Sequence, residues 1–324
     1  MLRAFVSSGG RIEQRQLNEP AEPIPAAVWY DLIEPSPAEI RGVEQSLGIE
    51  LPRREEMQEI EISSRLYQDG PALFMTTTVM SQAETPQPTS DAITFVVTPS
   101  ALVTLRYSQP LAFTNFSNWV QRTPSACAAS DMALMGLMEA IVDRAADVLE
   151  RTSIEIDSIA RGVFETRTTS GVHGGTLQDA LKGIGRHGTL ISGISESLLS
   201  LSRANAFFST SASTWLQKES KTRVKTLDRD IRSLHDHATF LSQKVNFLLD
   251  ATLGLINIEQ NNIIKIFSVA AVAFLPPTLI ASIYGMNFKE FPELNWVYGY
   301  PFALMLMVLS AALPFYYFRR RGWL

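Results

Sequence analysis

The chain has 324 residues, a single cysteine and a formal net charge of −5, from 28 Lys/Arg against 33 Asp/Glu. That length holds one large domain or two smaller ones besides any membrane segment, and one cysteine excludes an intrachain disulfide. From Ala251 onward five Lys/Arg stand against three Asp/Glu, a net of +2, so the first 250 residues carry −5 − 2 = −7, a balance that argues against a nucleic-acid surface and suits divalent cations as partners.

The first thirty residues include Arg3, Arg11, Glu13, Arg15, Glu19 and Glu22 and no long apolar run, so no cleavable signal peptide is expected. The expected fold class is an α+β cytoplasmic domain with a long stalk helix and two C-terminal transmembrane helices, in which residues 1–125 form a cytoplasmic α/β domain. Short runs rich in β-branched and aromatic residues alternate there with polar turns: Ala27 to Tyr30, Leu73 to Val79, Ala92 to Val97 and Leu102 to Leu105. Ser36-Pro37-Ala38-Glu39 has the make-up of a helix start, with Ser36 as cap, Pro37 in the first turn and Glu39 three residues after the cap. Pro and Ser residues between Thr85 and Ser90 mark an exposed turn. The acidic run Glu55 to Glu61 is expected to be an exposed helix face, and Cys127, with no partnered motif around it, a buried structural thiol.

Residues 126–262 are expected to form a cytoplasmic region of long helices ending in a stalk, because no proline occurs between Pro124 and Pro276. Ser170 to Gly175 breaks this stretch, and Phe208 to Ser213 is expected to end a further helix. Val224, Leu227, Ile231, Leu234, Ala238, Leu241, Val245, Leu248, Thr252 and Leu255 then recur at alternating spacings of three and four. This heptad seam serves either assembly between copies or packing within the chain, and the sequence leaves both open. Nothing interrupts it before the apolar region, so a continuous helix from about Ser220 to Ile283 would be roughly 95 Å long at about 1.5 Å per residue. His235 and His237 flank Asp236 but diverge on a helix, which disfavours a metal site there.

Residues 263–324 are expected to form a membrane domain. Ile266 to Ile283 and Val297 to Phe318 are eighteen and twenty-two residues without a charge, each long enough to cross a bilayer core of roughly 30 Å. The first span is placed at about 263–283, an outer loop at 284–296, the second span at 297–318 and a basic tail at 319–324. Lys265 and Arg319-Arg320-Arg321 outweigh the single cation of the loop, Lys289, which puts both termini in the cytoplasm. Asn261, Ile264, Ser268, Ala271, Leu275, Thr278 and Ser282 share one helical face of the first span, small or polar at most positions. Such a face marks either a helix interface or a wet cavity. Pro276-Pro277 remove two backbone donors in mid-span, which favours a lined pore. Two spans cannot enclose a polar path, so several chains must gather around an axis if anything polar is to cross. Gly285-Met286-Asn287 ends this face with neutral oxygen donors, able to hold a hydrated Mg2+ without stripping its water.

Tyr284-Gly285-Met286-Asn287-Phe288 resembles the signature of the CorA family of magnesium channels. Phe291-Pro292-Glu293-Leu294 is similar to the family's Met-Pro-Glu-Leu loop, with Phe291 where Met is usual, and Gly322-Trp323-Leu324 ends the basic tail as in family members. Ile258 to Asn261 and Pro276 to Leu279 are similar to enterobacterial members in particular, and Val28 to Leu32 extends the resemblance towards the N-terminus. The resemblance implies a funnel-shaped homopentamer whose first span lines the pore. It implies selectivity from Gly285, Met286 and Asn287, cation attraction by Glu293, apolar constrictions at Leu275 and Ile264, and polar stations at Thr278 and Asn261. It also implies passive Mg2+ influx, with Co2+ and Ni2+ as accompanying ions, in a bacterial inner membrane.

Feedback from cytosolic Mg2+ is a further implication, for which Asp228 and Asp230, just off the seam, are the leading carboxylates. No phosphate loop, zinc-protease pairing or nucleophile elbow is present, so neither an enzyme nor an organic cofactor is expected. Two alternatives stand beside the channel: a ZntB-type zinc transporter, disfavoured by the intact Gly-Met-Asn, and a non-conducting membrane-anchored helical sensor or scaffold.

Overall fold

The computed structural model describes residues 1–8, 11–17, 26–85, 87–165, 174–287 and 296–322. Of the expected break, Ser170 to His173 lie outside the described residues, as do the loop residues Lys289, Glu290 and Phe291 to Leu294, and Trp323-Leu324. The chain divides into two units, Met1–Leu249 and Asp250–Leu324.

The first unit is built on seven strands: β1 (Leu2–Ser8), β2 (Arg11–Leu17), β3 (Trp29–Ile33), β4 (Leu66–Asp69), β5 (Ala72–Ser81), β6 (Thr89–Val97) and β7 (Leu102–Arg106). They form one sheet in the order β2-β1-β3-β7-β6-β5-β4. Every neighbouring pair is antiparallel except β3 and β7. Strand alternation divides the side chains between two cores. Phe5, Trp29, Leu73, Met75, Ile93, Phe95 and Leu102 face one side, and Ala4, Tyr30, Leu32, Phe74, Val96, Val103 and Leu105 the other. Both faces are therefore covered, which explains why β5, β6 and β7 have near-continuous apolar stretches.

The second face is closed by α1 (Pro37–Leu47) and the segment after it. The expected cap is present. Ser36 Oγ accepts from the Glu39 N–H at 3.3 Å, and Glu39 Oε2 accepts from the Ser36 N–H at 2.8 Å. The acidic run after α1 is exposed as expected but is not one helix face. A single turn at Glu56–Gln58 buries Met57 in the second core, and α2 (Ile62–Arg65) begins only after the run. Anchoring Met57 beneath the sheet takes precedence over helical continuity here.

The first face carries α3 (Leu111–Arg122), α4 (Ser130–Glu165), α5 (Gly174–Ser211) and the opening turns of α6 (Lys218–Tyr284). Within this core lie Val224, Leu227, Ile231, Ala238, Leu241, Val245 and Leu248, so the heptad seam packs within the chain over these turns. Polar contacts fix the same helices. Asn205 on α5 donates to the Val224 carbonyl at 3.0 Å, and Arg223 grips Glu139 of α4 through two N–H groups at 2.8 and 2.6 Å. Lys244 pairs with Asp157 of α4.

Beneath α3 the sheet holds a buried ion pair. Arg106 donates from Nε and Nη2 to Asp31 Oδ1 and Oδ2 at 2.9 and 2.8 Å, with 3% and 2% of the two side chains exposed. The Thr104 hydroxyl donates to Asp31 Oδ1 at 2.8 Å and accepts from Trp29 Nε1 at 2.9 Å. The Arg106 guanidinium lies 4.7 Å over the Phe113 ring. Strand β3 is thereby locked to β7 with every charge satisfied.

The second unit contains the rest of α6 and α7 (Gly299–Arg320). Each has a window long and apolar enough to span a bilayer, and only 6% of each window is buried. A core helix of a soluble domain would be mostly buried, so the exposure favours a lipid-facing pair.

Candidate functional site

Helix α6 runs unbroken from Lys218 to Tyr284, through Pro276 and Pro277. Neither proline has an N–H to give, which leaves the carbonyls of Val272 and Ala273 without their usual helical donors. Two hydroxyls nearby are spent on the helix itself: Thr278 Oγ1 donates to the Phe274 carbonyl and Ser282 Oγ to the Thr278 carbonyl, each at 2.8 Å. With its hydrogen committed, each hydroxyl presents only lone pairs outward. A hydrated cation directs its water hydrogens outward, so a wall of acceptors is what it requires.

The face identified from the sequence is open along its length. Asn261, Ile264, Ala271, Leu275, Thr278 and Ser282 are exposed, and Ser268 is half-buried. Shielding falls on the opposite side of the helix, where Val269 is buried and Ala273, Pro276, Ile280 and Tyr284 are partly buried. On α7 the buried residues are Gly299 and Ala303. The apolar Phe267 and Phe274 are exposed on the flanks between the two stripes. A helix that shields one side, greases its flanks and leaves a small and polar third side bare has three different neighbours to meet.

The end of α6 is tight. Gly285 donates to the Ala281 carbonyl at 2.9 Å and Met286 to the Ile283 carbonyl at 3.2 Å. A Cβ at Gly285 would stand 3.1 Å from the Ala281 carbonyl oxygen, so the close turn favours glycine. Asn287 follows immediately and is exposed. The negative pole of α6 points at this turn and adds to the attraction of its oxygens for a cation. Glu293 lies outside the described residues.

Asp228 and Asp230 lie on α6 in the first unit, and they differ. Asp228 pairs with Arg232 one turn on, at 2.9 Å. Asp230 is exposed beside Asp143 of α4. Partial desolvation, and then the charges of Glu139, Asp147 and Asp230, raise the Asp143 carboxyl above its ordinary range. Among the described residues no group of three His, Cys, Asp or Glu side chains is placed to hold a metal within one chain. Glu139, Asp143 and Asp147 recur every four residues on α4, a stripe that spacing alone displays, whereas Asp230 joins them from α6 only through tertiary packing. The Cys127 thiol is buried and pushed up to about 12 by desolvation, and is inert.

The family described as CorA-like Mg2+ transporter protein matches residues 26–320. The chain is 34% identical over all 324 residues to the magnesium transport protein CorA of Pectobacterium atrosepticum, with the whole of both chains covered. Against the protein of the same name from Escherichia coli K12 the identity is likewise 34% over 324 residues, again covering both in full. Among solved structures, the CorA magnesium transporter of Methanocaldococcus jannaschii superposes with a TM-score of 0.73 at 19% identity, covering 100% of this chain and 99% of that one.

Proposed function

We infer, since the chain belongs to the CorA-like family of Mg2+ transporters, that it conducts Mg2+ through a pore lined by copies of α6. The observation that carries this reading is the three-sided character of α6 beyond residue 261: a polar acceptor face, bare within one chain, opposite a shielded one. A second α6 can satisfy that face only by sharing an axis with it, and the family resemblance puts the number of copies at five. Asn287 with the carbonyls of Gly285 and Met286 forms the outer selectivity ring, and Glu293 draws cations to it. Asn261, Ser268, Thr278 and Ser282 are polar stations, and Ile264 and Leu275 are apolar rings that close the path by dewetting.

Inward flow needs no nucleotide, because a double positive charge gains about 4.6 kcal/mol per 100 mV of inside-negative potential. Co2+ and Ni2+ share the size and slow water exchange of Mg2+ and pass by the same route. The chain resides in a bacterial inner membrane, and the excess of Lys265 and Arg319 to Arg321 over the loop's single cation supports an orientation with both termini cytoplasmic. Regulatory Mg2+ binds at Asp228 and Asp230. Asp230 contributes more, since Asp228 is already paired with Arg232, and a second copy completes the ligand set, which the described residues of one chain do not supply. Family membership favours this reading over zinc transport and over a non-conducting scaffold.

Substituted-cysteine block tests the lining. The native thiol is buried and unreactive, so cysteines placed singly at Thr278 or Ser282 report without a background. A cationic thiosulfonate is expected to stop Mg2+ uptake through either variant and to spare a variant with cysteine at Ile280 on the shielded side. Block at Ile280 with none at Thr278 and Ser282 would refute the assignment.

A further inference from the structure

The C-terminal end of α7 carries Arg319, Arg320 and Arg321, all exposed. Arg319 and Arg320 end α7 and Arg321 caps it in a right-handed helical conformation, so the three cations spread over more than half the circumference and form a collar and not a stripe. Two of them are seated on aromatic rings one turn back. The Arg320 guanidinium lies 5.0 Å over Tyr316, and that of Arg321 lies 5.6 Å over Tyr317. A cation held over a ring face in this way needs no carboxylate partner, so its N–H groups remain available to an anion. No Asp or Glu occurs from Trp296 to the end of the sequence, and among the described residues none of the three arginines enters an ion pair. Helix closure is achieved without them: the Arg321 N–H donates to the Tyr317 carbonyl, and Gly322, at φ 70°, donates to the Arg319 carbonyl.

The depth of the collar identifies its ligand. From Gly299 to Arg319 the helix advances 20 residues, about 30 Å, which equals the thickness of a bilayer's hydrocarbon core. Trp296, Tyr298 and Tyr300 cluster at the other end, where aromatic rings mark the opposite interface. The guanidinium edges thus lie at headgroup level, and a phosphodiester offers the paired oxygens they fit.

We propose that Arg319, Arg320 and Arg321, seated on Tyr316 and Tyr317, form a binding site for the phosphate groups of anionic lipids in the leaflet around the C-terminal end of α7. The inference rests on α7 crossing the membrane. It is tested with purified full-length protein equilibrated in vesicles of equal parts phosphatidylcholine and phosphatidylglycerol, then extracted gently, the retained lipids being counted by native mass spectrometry. The parent is expected to retain phosphatidylglycerol selectively, and the triple variant R319Q/R320Q/R321Q to lose at least about tenfold of that preference. Y316L/Y317L, which keeps every charge, should lower the preference by a smaller factor and keeps the test decisive if the triple variant fails to fold. Unchanged selectivity in the variants overturns the proposal, and release of phosphatidylglycerol by millimolar inorganic phosphate reassigns the site to a soluble anion. An alkaline carbonate wash separates membrane spanning from lipid preference. A chain that washes off refutes the spanning reading, whereas an integral chain without lipid preference refutes only the collar.

Discussion

Replacing Asp31 by Ala should destabilise the Met1–Leu249 unit more than any other single change to its polar groups. The carboxylate accepts two bonds from Arg106, at 2.9 and 2.8 Å, and one from Thr104 at 2.8 Å. Without it the guanidinium keeps only the Ser108 carbonyl, at 2.6 Å, and stays buried under Phe113. Breaking a buried pair by removing one partner costs about 3–5 kcal/mol, because the surviving charge is left uncompensated. For a unit of this size about 1 kcal/mol corresponds to 2–4 °C, so the melting temperature should fall by roughly 10 °C. Intrinsic tryptophan fluorescence is a suitable probe, since Trp29 donates into the same network. Removing both charges at similar volume, with Asp31→Leu and Arg106→Met together, should restore most of the loss. A single variant that melts with the parent, or a double variant as unstable as the single, would show that the pair's mutual satisfaction does not hold β3 to β7.

Gly136→Ala should also destabilise, because the new Cβ would lie 2.3 Å from Phe116 Cε2 and 2.8 Å from Cζ. That ring is packed against Trp29 and Trp119. The overpacking cost of about 1–3 kcal/mol exceeds the helix-propensity gain of about 1 kcal/mol, so a rise in melting temperature would show that the ring has room to move. His187 is buried, with Nε2 3.4 Å from Glu155 Oε2. Desolvation lowers its pKa below the ordinary 6.5, opposed by Glu155 and helped by Arg186. The folded state therefore binds fewer protons than the unfolded one. The His187 contribution is complete above the unfolded pKa and declines as pH falls through that value towards the folded one. His187→Gln should flatten the pH dependence of stability in that window, and an unchanged profile would assign the dependence elsewhere. Thr278→Val with Ser282→Ala should slow Mg2+ uptake by about tenfold, the equivalent of one lost hydrogen bond of about 1.4 kcal/mol; uptake at the parental rate would remove these acceptors from the path.

Where local chemistry decides, the sequence was legible. The capping box at Ser36 and Glu39 forms as expected, β5, β6 and β7 coincide with apolar runs, β3 shares only Trp29 and Tyr30 with the run expected at Ala27 to Tyr30, and the continuous helix expected from Ser220 to Ile283 is α6, Lys218–Tyr284. Strands β1, β2 and β4 were not anticipated. β2 and β4 are the sheet's edges, and the mostly exposed Arg11-Ile12-Glu13-Gln14-Arg15 of β2 gives no period-two apolar signal. The heptad seam illustrates a different limit. Spacing identifies an apolar face but not its partner, and the choice between another copy and the chain's own α4 and α5 is made by tertiary packing. Asp31 with Arg106, 75 residues apart, has no local signature at all. The first-span face was readable because a period of 3.6 and a polar composition within an apolar helix are both local. The spent hydrogens of Thr278 and Ser282, which turn them into acceptors, appear only in three dimensions.

The most direct measurement is Mg2+ flux into liposomes that contain only this protein, under an inside-negative potential and read by an entrapped indicator. Uptake is expected without nucleotide, steeper at larger potential, and nearly abolished by Asn287→Ala in protein that assembles normally. Flux that persists unchanged in that variant, or a parent protein that passes no ion at any potential, would contradict conduction through the α6 pore.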